Sequence, residues 1–266
     1  MSTQAVHGGP IPGLQRTLTT HDLEKARQQY DFPSFIRNAV ADVCSHNNLP
    51  EDDILLKVVE KIRKHLPQLR LLFQKFGVVN LFGVHVPHRH FTVPDRFHLV
   101  GQTEARDESL YLTRLMDDTF NPSEVCGRKF VYDPQRGWCP HEFHYGPMPD
   151  IRNVDPEFFL RFTEYLVTNE LTSILGLMYL PQELLLYDMI EFVLSNCALL
   201  LVQAASTRIT DDRVTTSWNF SDPIYTRETD CIPDRFGKHP PRPDDFLLQP
   251  RPVINDAIQQ HYPRIL

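Results

Sequence analysis

A chain of 266 residues with 41% hydrophobic and 23% charged side chains has ordinary globular composition, which excludes a natively unfolded polypeptide. Its 27 basic residues are outnumbered by 34 acidic ones, for a net charge of -7, and no basic run concentrates positive charge, so nucleic-acid binding is not expected. The most apolar stretch, 184–202, carries Asp188, Glu191 and Asn196, which argues against a membrane span.

The first residues, MSTQAVHGGPIPGLQRT, lack the charged start and apolar run of a secretory signal, so a cytoplasmic location is expected. Five cysteines at irregular spacing, with no CxxC pair, agree with a reducing compartment. Residues 1–20 form a Gly/Pro/Thr-rich arm in this reading. A single α+β domain follows over 21–240, and a proline-rich strap over 241–266.

Within the domain, apolar spacing predicts a helix over 33–45 and a second from Pro50 to about His65, with Glu51, Asp52 and Asp53 in its first turn. Pro67 breaks or kinks the chain. LRLLFQKFG then continues as an apolar helix closed by Gly77. From Val78 the texture turns β-branched and aromatic, predicting short strands in VVNLFGVHVPHRHFTV, RFHLVGQT, RKFVYD and GWCPHEFHYG, the last two joined through DPQRG. Asp155 and Pro156 open a predicted long helix, 156–180, ended by Pro181, and a second apolar helix is predicted over 182–203. TRITDDRVTTSWNFS reads as a hairpin turning at Asp211 and Asp212 and feeding TDCIPDRFGKH. The expected architecture is a mixed or antiparallel sheet packed against a long helical pair, with Trp138 and Trp218 in the core.

The densest group of reactive side chains is His85, His88 and His90. On a strand, residues two apart share a face, so His88 and His90 would stand side by side as two imidazole ligands for a divalent metal such as zinc. Cys139, His141, Glu142, His144, Cys231 and His239 are candidates to complete the set. Alternatively one histidine serves as general base, oriented by Glu142 or an aspartate, without a metal. No GxSxG, Walker A or GxGxxG motif is present, so hydrolase, P-loop and Rossmann readings lack their defining residues. Cys197, inside an apolar run, reads as a small core residue.

The segment LFGVHVPHRHF, with His88, Arg89, His90 and Phe91 at its end, resembles a group of uncharacterised ascomycete fungal proteins. Their downstream Pro-x-Glu-Phe segment is similar to Pro140, His141, Glu142 and Phe143 here. The resemblance implies that the two segments belong together, and it carries no activity. The expectation is thus an intracellular enzyme acting on a small molecule, possible in fungal specialised metabolism, with His88, His90, Glu142 and His144 at the site. The alternative is a non-catalytic scaffold protein in which the HRHF segment is structural.

Overall fold

The computed structural model describes residues 46–50, 55–104, 107–117, 121, 124–134, 136–146, 150–151, 153–194, 198–204 and 213–231. The predicted arm, the helix over 33–45, the turn at Asp211 and Asp212, Cys197, His239 and the C-terminal strap lie outside these residues.

Helix α1 (Leu55–Arg63) follows Pro50, and α2 (Leu66–Lys75) takes Pro67 in its first turn, where the missing N–H would have had no helical partner. The residue after its C-cap is Gly77 at φ 66°, a left-handed position that ends the helix. Strand β1 (Phe82–His85) begins the sheet, followed by β2 (Phe97–Glu104), β3 (Asp107–Asp117), β4 (Val125–Asp133) and β5 (Gly137–Tyr145). Helix α3 (Glu157–Thr168) starts where the Asp155 side chain accepts the Glu157 backbone N–H at 2.9 Å.

The long helical pair is not there. Helix α3 stops at Thr168, because the following Asn169, Thr172 and Ser173 hold a helix poorly and Glu170 turns the chain at φ 54°. Gly176–Tyr179 then forms β6. The run predicted as a second helix contains a 3-10 turn at Gln182–Leu184 and two antiparallel strands, β7 (Met189–Leu194) and β8 (Ala198–Gln203). Strands β9 (Val214–Asn219) and β10 (Arg227–Cys231) complete the set.

The fold is therefore not α+β. The ten described strands close into a mixed barrel in the order β1-β6-β4-β5-β2-β3-β8-β7-β10-β9, with β9 returning to β1. Two of its pairings, β2 with β5 and β7 with β10, are parallel. The three described helices cover one side, burying a large apolar cluster between Phe73, Phe158, Phe162, Trp138 and Trp218. Both tryptophans are buried, as expected of core residues. Helix α3 presents Phe158, Phe159, Phe162, Tyr165 and Leu166 on one face, and the Trp138 ring stacks on Phe162 at 5.4 Å while its Nε1–H reaches Thr163 at 3.0 Å.

Candidate metal centre

At the seam of the barrel, β1 hands its last bond to β9 through the Val86 N–H and the Thr216 carbonyl, 2.7 Å apart. Pro87 has no N–H to extend the pairing, so the chain leaves the sheet and carries His88 and His90 on a loop rather than a strand. The expected alternation therefore fails as a cause. The imidazoles nevertheless meet, edge to face, with ring centres 4.6 Å apart. The His88 Nδ1–H donates to the Val86 carbonyl at 2.8 Å, which leaves Nε2 as the lone-pair nitrogen and aims it at Cys231 Sγ, 3.7 Å away.

Glu191 on β7 and Cys231 on β10 close the group. His90 Nε2 lies 2.9 Å from Glu191 Oε1, and the Cys231 thiol donates to the same oxygen at 3.1 Å. One ligand atom from each of His88, His90, Glu191 and Cys231 lies within 4.8 Å of all the others. Four ligands around a zinc ion sit roughly 3 to 4 Å apart, given metal bonds of about 2.0 to 2.3 Å, so small side-chain rotations suffice to close the set. His88, Glu191 and Cys231 are buried, and the His90 side chain is 4% exposed, so little water competes for them.

A buried carboxylate needs a counter-charge, and Lys129 supplies it. Its ammonium lies 3.4 Å from Glu191 Oε2 and 2.9 Å from Glu142 Oε1, while Arg128 reaches Glu142 Oε2 at 3.2 Å. Neighbours on a strand ordinarily point to opposite faces. Here the register of β4 against β5 shifts on both sides of Lys129, a bulge that lets Arg128 and Lys129 reach one carboxylate and that accommodates Pro140. Burial alone would raise the Glu191 carboxyl, but Lys129 and the His90 hydrogen bond outweigh it and hold the group well below the usual range. Glu142 is likewise lowered, as Lys129 and Arg128 overcome desolvation. Burial pushes the Cys231 thiol up to about 12, with Glu191 adding to the shift, so in this arrangement it is protonated and only a cation would draw off the proton.

The other predicted residues fall elsewhere. Glu142 does not join the four, and is linked to Glu191 through Lys129. His144 is apart, its Nδ1 accepting the Tyr111 hydroxyl at 3.0 Å with the two rings stacked. His85 and His141 pack at 5.2 Å between ring centres, with His46 6.0 Å from His141. Gly176 makes room for His85, since a Cβ there would meet the His85 ring and the Phe130 carbonyl. Burial lowers His85 to about 3 and both His46 and His144 to about 4, so all three rings are neutral near pH 7. Cys139 faces the Gly137 carbonyl and takes no part.

Glu191 is the residue that sequence reasoning missed, having been read as a charge interrupting an apolar helix. Its signal was present: a lone carboxylate in an apolar strand buried on both faces demands a partner. No family model matches the chain, and no curated protein or solved structure matches it.

Proposed function

We propose that the protein is a metal-dependent enzyme acting on a small molecule, with His88, His90, Cys231 and Glu191 holding one divalent ion. A single observation carries this reading: four buried groups of ligand type converge within 4.8 Å, one imidazole already holding its lone pair inward. Two imidazoles, a thiolate and a carboxylate form a borderline-soft set suited to zinc, with iron as the next choice. A bound ion would act as a Lewis acid or lower the pKa of a water. The chain's own contributions are the Thr216 hydroxyl beside Cys231, 3.3 Å from its sulfur, and the Lys129 ammonium, which steadies Glu191 through its second oxygen. A thiol ligand must stay reduced, which suits the cytoplasm, and the HRHF resemblance suggests fungal specialised metabolism as the setting.

Elemental analysis of protein expressed in metal-supplemented medium tests the reading. About one zinc or iron per chain is expected, falling to near zero in Cys231→Ala and His90→Ala. Metal-free protein whose thermal stability ignores chelators would remove the centre. A non-catalytic scaffold is then favoured, because the same four groups already hydrogen-bond to one another. In that case Cys231→Ala would cost about 1 to 3 kcal/mol of stability and nothing else.

A further inference from the structure

The two halves of the four-residue cluster are held in different ways. Glu191 and Cys231 are direct cross-strand partners on β7 and β10, so the ladder itself fixes their separation. His88 and His90 lie on a loop that leaves the sheet after Val86, and β2 begins only at Phe97. That loop has no ladder of its own to aim its imidazoles.

A turn at residues 46–50, closed by the Leu49 N–H on the His46 carbonyl at 3.1 Å, supplies the hold. It meets the loop at residues 89, 91 and 93, which bracket His90. The Arg89 N–H donates to the Pro50 carbonyl at 3.0 Å, and the Phe91 ring faces His46 with ring centres 6.3 Å apart. Asn47 makes the third contact: its Nδ2–H donates to the Val93 carbonyl at 2.9 Å, and its Oδ1 accepts the Val93 N–H at 2.8 Å. One side-chain amide thus satisfies both main-chain groups of a residue 46 positions away, as a paired strand would. Val93 is 2% exposed, so water replaces those bonds poorly if the amide is lost.

We propose that Asn47 is a positioning residue of the metal centre, a clasp that holds the loop so that His88 and His90 face Glu191 and Cys231. The role rests on the metal reading of the cluster for its ion, and on the hydrogen bonds alone for the placement of the loop. Aspartate has the same size and still accepts the Val93 N–H, but it sets a carboxylate against the Val93 carbonyl. The donor is therefore the half that requires an amide.

Cobalt(II) titration of metal-free protein, read from the visible bands, tests the clasp. Asn47→Ala, and Asn47→Asp without change of volume, should each weaken cobalt affinity by roughly 10- to 100-fold, the usual cost of losing the support behind a ligand. Asn169→Ala is the control, because it too removes an amide from a buried-side carbonyl, that of Tyr165 at 2.8 Å, but at the end of α3. It should lower the melting temperature and leave the affinity and the bands unchanged. Affinity equal to the parent protein in both Asn47 variants, or lost equally in Asn169→Ala, would overturn the proposal. A parent protein that gives no cobalt bands would remove the metal centre, and the clasp is then read from the thiol. Freed of Asn47, the loop lifts from Cys231 more often, so iodoacetamide should alkylate Cys231 about tenfold faster in Asn47→Ala than in the parent or in Asn169→Ala, the scale of one lost hydrogen bond. An unchanged alkylation rate would overturn the clasp with or without a metal.

Discussion

Lys129 touches both carboxylates of the barrel interior, so removing it strands two buried negative charges at once. Breaking a buried pair from one side leaves an uncompensated charge, and Lys129→Met is expected to destabilise the protein by about 3 to 5 kcal/mol in urea unfolding. A loss within experimental error would mean that the carboxylates are solvated. The histidines carry a second residue-scale prediction. His46, His85 and His144 have folded-state values of about 4, 3 and 4, below their ordinary 6.5, because burial disfavours the charged ring. As pH falls below about 6.5 the unfolded chain takes up protons that the folded one refuses, so stability falls, by up to about 1.4 kcal/mol per pH unit for each ring. The decline ends near pH 4 for His46 and His144 and near pH 3 for His85, once each folded ring also protonates. His144→Gln should make the slope between pH 6.5 and 4 shallower, and an unchanged slope would contradict the assignment. Both candidate imidazoles, His88 and His90, were legible as sequence because their clustering is visible there, as was Cys231 as one possible partner among six. Which of the six would arrive was not legible, since strand order decides it.

Helix α3 shows what periodicity can and cannot supply. Its start at Asp155 and Pro156 is a local signal and appears as read, whereas the helix ends at Thr168 and not at 180. Phe162 stacks on Trp138 and meets Phe73 edge to face at 5.4 Å, so Phe162→Ala should cost about 3 to 5 kcal/mol of unfolding free energy. A cost under 1 kcal/mol would show that the aromatic layer repacks around the gap. The strands β7 and β8 were misread for a definite reason. A strand buried on both faces is a continuous apolar run, and MIEFVL followed by ALLLVQ carries no alternation to separate it from a buried helix. Strand β3 was missed altogether, since its charged residues Asp107, Glu108 and Arg114 mask the apolar Leu110 and Leu112.

Across the whole molecule, the proposed ligands come from the exit of β1, from β7 and from β10, which lie together only because β9 and β10 bridge β1 to β7 in the closed barrel. An ion bound there ties the seam to strands distant in sequence and is absent from the unfolded chain. Metal at about 100 times its dissociation constant should therefore stabilise the fold by about 2.7 kcal/mol, raising the melting temperature in calorimetry. Unfolding that is indifferent to metal would argue against the site. Composition, cysteine usage and the clustered imidazoles were determined by the sequence alone, because each depends on residue identity and near neighbours. Barrel closure, the bulge that turns Arg128 and Lys129 toward one carboxylate, and the arrival of Glu191 beside Cys231 were decided only in the tertiary structure. Those features arise from pairing between strands tens of residues apart, and the energy that selects one pairing is the burial of whole sheet faces, which no local pattern encodes.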